Sequence, residues 1–355
     1  MTLTPAQAAA LAHVRALARA GRAGAGRRLG WVDADALASS VLRRARITLN
    51  FHPDRLRPAD GRTVAEALAE DGVYRNQYET GLSNGGRTAF PGGARDEWER
   101  GLFGGAYHRQ GVRPEERPKY GALNVFGHTD GAAPRFGSCH VRLRTEVSRR
   151  STFCHGDSHL GPTDVGTADA FACVLAGLAQ AGVDMRGMAP DAPEAIPHSP
   201  GAAPGPGRGG HGRVLDGHVE AQVHGPIVLG RDAEALVLDP SFRGTRTARL
   251  LASTGVPLEW HAGFVLAPHE VDARFRGAVM VALAEWICRA HSPHGLLDAR
   301  VLGHAAAAVV REPHAWAAWG TRDEVLQYIK QLWHVLAWSG RPHGGGASAS
   351  DGGRA

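Results

Sequence analysis

The sequence predicts an α+β protein, and three observations lead there. Short segments with a period of two occupy the middle of the chain, helical periodicity dominates both ends, and three of the alternating segments, at Tyr120 to Asn124, Cys139 to Leu143 and Ser151 to Phe153, follow one another with no helical pattern between them. The chain has 355 residues, 43% of them hydrophobic, enough for a sizeable core.

The N-terminal region, 1–45, reads as helices packed on that core. Thr4-Pro5 suits a helix start, and Ala10, Leu11, Val14, Leu17 and Ala18 make one apolar stripe. A second helix follows Asp33 with Leu37, Val41 and Leu42. At Ile47 the pattern changes: Ile47, Leu49 and Phe51 alternate with Thr48, Asn50 and His52, and His52-Pro53-Asp54-Arg55 closes a strand. A helix from Thr63 stops at Gly72. The stretch Tyr74 to Gly86, YRNQYETGLSNGG, is dense in functional groups: its glycine pair allows close backbone approach to a ligand, and its Thr80, Ser83 and Asn84 can hydrogen-bond phosphates or ribose; an ordinary polar turn has the same composition.

Further strands are expected at Tyr120 to Asn124, from Cys139 to Leu143 and at Ser151-Thr152-Phe153, with a polar loop at Cys154-His155-Gly156-Asp157-Ser158-His159. A helix follows Thr167. Residues 185–213 are rich in Pro, Gly and Ala and read as a flexible insertion. His218 to Phe242, HVEAQVHGPIVLGRDAEALVLDPSF, reads as a hairpin or paired strands, with Glu220, Gln222 and His224 on one face and Val219, Ala221 and Val223 on the other. Trp260 to Phe264 is one more short strand. Helices are expected over Ala273–Ala290, Leu296–Ala308 and Asp323–Trp338, so that 46–277 forms the core, 278–340 a helical C-terminal region and 341–355 a disordered tail.

The net charge is +5 with a pI near 9.3, but the positive charge is nearly all Arg, with Lys only at Lys119 and Lys330. Arg is scattered among Asp and Glu, which argues against nucleic acid as an obligatory partner. The four cysteines, Cys139, Cys154, Cys173 and Cys288, show neither zinc-finger spacing nor a disulfide framework. With no signal-peptide pattern and no run of about 18 apolar residues, a cytoplasmic protein without a membrane partner is expected, export by a signal-less route being invisible to sequence.

Four polar strand ends accumulate: His52 to Arg55, Tyr120 with Asn124, Ser151-Thr152, and Glu220 with Gln222. A metal-dependent hydrolase can be assembled from His52, Asp54, His155, Asp157 and His159, although the chain lacks H-E-x-x-H and its 19 His make chance neighbours common. A covalent reading from Cys154 with His155 or Ser158 lacks a nucleophile elbow. A non-catalytic module gripping a ligand or protein through YRNQYETGLSNGG is the third class.

The segments FHPDR, YRNQYETGLSNGG, ARDEWERGLFGGAYH, RPKYGALN, RFGS, STFCHGDS and EAQVHGPIVLGRDAEALVLDPSF resemble a bacterial family catalogued as domain of unknown function thirty-six twenty-six. The chain also resembles, more loosely, the ADP-ribosyltransferase superfamily. That second resemblance implies a split antiparallel β-sheet holding NAD in a cleft, with a His or Arg ending the first strand, a Tyr or Ser-Thr-Ser on a middle strand and a late Glu. It maps onto His52 or Arg55, onto Tyr120 or Ser151-Thr152, and onto Glu220. Phe153 departs from Ser-Thr-Ser, and Gln222 stands where a second Glu is common.

The resemblance implies an enzyme, an ADP-ribosyltransferase or NAD glycohydrolase, with NAD as substrate and no metal. Its acceptor is a protein, a nucleic acid, a small molecule or water, and an effector or toxin role is compatible. The expected catalytic set is Glu220, Gln222, Ser151 and Tyr120, and the expected NAD-binding set is His52, Arg55, Asn50, Tyr120, Ser151, Thr152, Tyr78, Ser83 and Asn84. Each type suits its role: a carboxylate for an oxocarbenium-like sugar, Arg for pyrophosphate, His or Asn for the adenosine ribose, and Tyr for stacking on nicotinamide.

Overall fold

The computed structural model describes residues 2–30, 33–82, 88–185, 188, 215 and 217–343. Ser83, Asn84 and most of the 185–213 insertion therefore lie outside the described residues, as does 344–355 of the tail.

Helix α1 spans Pro5–Leu29 and is opened by a reciprocal cap, Thr4 accepting from the Gln7 amide while Gln7 accepts from that of Thr4. Helix α2 spans Ala34–Arg44 behind an Asp33 cap. The alternating segment becomes β1, Ile47–Phe51. Then come α3 (Val64–Asp71), ended by Gly72 in the left-handed region, β2 (Val73–Tyr74), α4 (Gln77–Thr80) and α5 (Ala94–Leu102). Strands β3 (Lys119–Leu123), β4 (Cys139–Leu143), β5 (Ser151–His155) and β6 (Val165–Thr167) precede α6, Ala172–Gln180. Beyond it are β7 (Val219–Val223), β8 (Ile227–Val228), α7 (Leu229–Asp232), β9 (Ala233–Leu238), α8 (Arg246–Ala252) and β10 (Leu258–Trp260).

The C-terminal helices are α9 (Ala273–Arg276), α10 (Val279–His291), α11 (Ala299–Arg311) and α12 (Arg322–Ser339). The continuous helix expected from Ala273 is broken at Gly277, whose φ of 94° lies outside helical space. None of the described helices is long and apolar enough to cross a membrane.

Eight strands are hydrogen-bonded edge to edge in the order β10-β9-β4-β1-β3-β7-β5-β6, and β2 and β8 form a separate pair. The main sheet is antiparallel except where β10 runs parallel to β9. The hairpin expected within His218–Phe242 is not formed. Both strands exist, but β3, β1 and β4 stand between β7 and β9, roughly 19 Å at the usual strand spacing. The α7 turn and the β2–β8 pair carry the chain out of β7 before it re-enters the sheet.

One apolar cluster runs from Leu29 and Val41 through Leu49, Phe153 and Ala221 to Leu302, Leu332 and Trp333, so the helices from both ends and the sheet share a core. The sheet's two faces differ sharply. Leu49, Phe153, Ala221 and Val223 belong to the apolar face; Thr48, Asn50, Tyr120, Thr152, Glu220 and Gln222 share the polar one.

Candidate functional site on the polar face of the sheet

Strand β7 lies between β3 and β5, so its polar residues meet side chains from both. Glu220 sits opposite Ala122 and Cys154, and Gln222 opposite Tyr120 and Thr152. The stripe of Glu220, Gln222 and His224 does share a face, but it is not exposed: Gln222 and His224 are fully buried and Glu220 keeps 8% of its surface. Phe103 and Tyr107, which follow α5, cover His224.

Burial obliges these groups to satisfy one another, and they do so in a chain. The Gln222 amide donates to Glu220 Oε1 at 2.8 Å, and the Thr152 hydroxyl donates to Gln222 Oε1 at 2.6 Å. Since Thr152 spends its only proton on Gln222, its 3.2 Å contact with His224 Nε2 requires His224 to be the donor. The other ring nitrogen, Nδ1, then accepts from the Tyr107 hydroxyl at 2.5 Å. Burial, with the charges of Lys119 and Arg150 acting the same way, lowers the His224 pKa to about 3, so the ring is neutral, as this tautomer needs. Every donor in the series points toward Glu220, which also accepts from the Ser158 amide at 3.4 Å.

Around the other side of Glu220 stand Asp157 and His218. Ligand atoms of Asp157, His218 and Glu220 all lie within 4.8 Å of one another. His218 Nε2 is 3.3 Å from Asp157 Oδ1, and Arg135 pairs with Asp157 Oδ2 at 2.6 Å. Burial alone would raise the Asp157 pKa; His218 and Arg135 outweigh it and hold the carboxyl down to about 2. His218 could have been found from sequence, because it is two residues before Glu220 and the strand period puts both on one side.

Tyr120 occupies the row beside Gln222. Its hydroxyl donates to Glu99 Oε1 at 2.9 Å, and the Arg95 guanidinium lies 4.3 Å from its ring centre and 4.9 Å from that of Trp98. Burial, followed by the Glu99 charge, raises its pKa. Arg95 and Glu99 come from α5, distant in sequence, and nothing in the alternation of β3 announced them. Tyr78, on α4, faces the Arg117 guanidinium at 4.7 Å, and Arg117 is held by Asp96 and Glu99.

The remaining expected residues are placed differently. Asn50 shares the polar face, but its amide donates to the carbonyls of Asp130 and Gly137 and thereby ties down the loop that covers β1. His52 is buried with its ring edge-on to Trp333, and burial, then Arg55 and His334, lowers its pKa. Arg55 and His52 line a cavity of about 90 Å³ with Tyr74 and Gln77. Ser151 does not join the site. It lies opposite Val223, on the other face from Thr152, and its hydroxyl donates to the Val147 carbonyl. The period of two separates Ser151 from Glu220 as surely as it unites Thr152 with Gln222.

Of the metal set expected around His52, Asp54, His155, Asp157 and His159, Asp157 and His159 come together, with Nδ1 3.7 Å from Oδ2, whereas His155 lies opposite Val219, on the other face from Glu220. Asp54 is buried beside α11 with neither carboxylate oxygen hydrogen-bonded, and burial raises its pKa to about 7. A cavity of about 550 Å³ at the end of β9, lined by Arg243, His261, Asp298 and Arg300, holds none of the expected residues.

Fold and site thus define a mixed α and β protein with a largely antiparallel sheet and a buried polar constellation centred on Glu220. The chain belongs to the family described as Protein of unknown function (DUF3626), whose model matches residues 46–189 and 208–338. No curated protein matches it.

Proposed function

We propose that this protein breaks the nicotinamide–ribose bond of NAD and delivers ADP-ribose to a protein, nucleic acid, small molecule or water, on a sheet of ADP-ribosyltransferase type. The observation carrying the proposal is that β1, β3 and β7 are immediate neighbours. Strand register and alternation put Asn50, Tyr120 and Glu220 on the same face of those three strands, and His52 and Arg55 follow the end of β1. Their order along the chain is that of the superfamily the sequence resembles.

In this reading the carbon–nitrogen bond breaks with its electron pair leaving on nicotinamide, and positive charge grows on the ribose. Glu220 stabilises that charge electrostatically, and the Gln222–Thr152–His224–Tyr107 series fixes the carboxylate before the substrate arrives. A pre-positioned charge costs no reorganisation during the reaction. The acceptor then adds to the sugar carbon and loses its proton. Arg55 and His52, at the end of β1, are assigned to the pyrophosphate and adenosine ribose, and Tyr120 to the nicotinamide side. Tyr120 reaches that role once the Arg95 guanidinium leaves its ring, a displacement the incoming ligand must drive.

The test is mass-spectrometric detection of nicotinamide released from NAD by the full chain. Glu220→Gln should slow release by at least about 100-fold while leaving the fold intact, the magnitude typical of losing one pre-positioned electrostatic group. Wild-type protein that neither binds NAD nor releases nicotinamide would sink the proposal.

A further inference from the structure

We infer that Asp157, His218 and Glu220 form a binding site for a divalent transition cation, and that its occupancy switches off the chemistry of Glu220. The second half rests on the proposed NAD-cleaving role; the binding site does not.

The three side chains offer one nitrogen and two carboxylate oxygens within 4.8 Å of one another, a spread that small side-chain rotations close to coordination distance. They are not a loose surface cluster: Asp157, His218 and Glu220 retain 9%, 4% and 8% exposure. His218 carries the independent signal. It is almost wholly buried, yet Nδ1 has no hydrogen-bond partner and Nε2 has only a 3.3 Å approach to Asp157 Oδ1, too poorly aligned to make a good hydrogen bond. A buried imidazole ordinarily finds a well-aligned donor or acceptor for each nitrogen, so a nitrogen set between two carboxylates at poor hydrogen-bond geometry fits a ligand to metal.

The backbone holds this geometry. The amide of Gly156 donates to the carbonyl of His218, linking the end of β5 to the start of β7, and Val219 pairs with His155 in the register. Asp157 and His218 are therefore carried by neighbouring segments. Arg135, at 2.6 Å from Asp157 Oδ2, leaves Oδ1 directed at His218 and acts as the outer partner that orients the carboxylate.

The donor set selects the cation. One imidazole and two carboxylates suit zinc, manganese or ferrous iron, whereas magnesium and calcium prefer oxygen alone. Two carboxylates also neutralise a divalent charge. Ligation takes the negative charge of Glu220 away from the sugar that it must stabilise, so cation and NAD chemistry compete for one carboxylate.

The experiment is titration of chelator-treated full-length protein with zinc chloride by calorimetry, for wild type, His218→Ala and Asp157→Asn, with circular dichroism confirming the fold of each variant. Wild type should bind one equivalent that both variants lose or bind at least about tenfold more weakly. Equal zinc binding by wild type and a folded His218→Ala variant overturns the site, because the remaining histidines would then account for it. Nicotinamide release is the second readout: one equivalent of zinc should inhibit wild type and spare His218→Ala. Zinc bound at the site without inhibiting release overturns the switch. Wild type that releases no nicotinamide even in chelator removes the catalytic reading, while the difference in zinc binding still decides the site.

Discussion

Thr152 is the residue on which the buried chain turns. It receives from His224 and donates to Gln222, so Thr152→Val, nearly identical in shape, leaves acceptor and donor unpaired in a place water does not reach. The expected loss is about 1–3 kcal/mol in urea denaturation, with activity reduced because Gln222 no longer holds Glu220. Ser151→Ala serves as the contrast: it removes a hydroxyl bonded to the Val147 carbonyl on the opposite face, and should leave nicotinamide release unchanged. His224 also sets a pH dependence. Its pKa falls to about 3 in the fold and is near 6.5 in an unfolded chain, so the unfolded state takes up the proton first as pH drops. Stability is undiminished above about 6.5 and declines by about 1.4 kcal/mol per pH unit between there and about 3. Relative to His224→Gln, the wild type should show that extra slope when denaturation midpoints are compared at pH 7 and pH 5.

At the scale of elements, the loop that follows β3 is pressed onto β1. A Cβ at Gly137 would lie 2.2 Å from the Phe51 amide nitrogen and 2.4 Å from its Cα, and backbone in the middle of a sheet cannot yield. Gly137→Ala should therefore displace this loop, and with it Arg135 and Phe136, costing on the order of 1–3 kcal/mol and weakening the Asp157 pairing. Thermal denaturation measures the first effect. Strand β7 makes the complementary point: its residues matter through neighbours on β3 and β5 rather than through β9, the strand that follows it in sequence. Alternation showed which of its side chains share a face. It could not show that the face would be closed over by Phe103 and Tyr107.

For the whole molecule, the shared core joins regions that follow one another as separate segments of the sequence. Leu302, Leu332 and Trp333 from the C-terminal helices belong to the same apolar cluster as Leu49 and Ala221 from the sheet. Ending the chain at Gly277 would strip that cluster of one wall. Such a truncation should be insoluble, and the full chain should unfold in a single calorimetric transition whose midpoint matches tryptophan fluorescence, since Trp316 and Trp333 lie in the C-terminal helical region and are buried. Two separated transitions would show that the helices fold independently.

Local rules in the sequence determined the elements and the sidedness of the strands. Thr4-Pro5, Asp33 and Thr63 marked helix starts because capping acts over three or four residues, and the alternation from Ile47 to His52 and from Val219 to His224 assigned faces because a strand repeats every two. Those rules placed Glu220, Gln222 and Tyr120 on polar sides, and they already contained the separation of Ser151 from Thr152. The tertiary structure decided which strands became neighbours and what covered them. Strand order is set by burial of the whole apolar face and by connections across many residues, so the β7–β9 hairpin gave way to β3-β7-β5. The same long-range packing put Asp157 and His218 beside Glu220 and brought Arg95 over Tyr120.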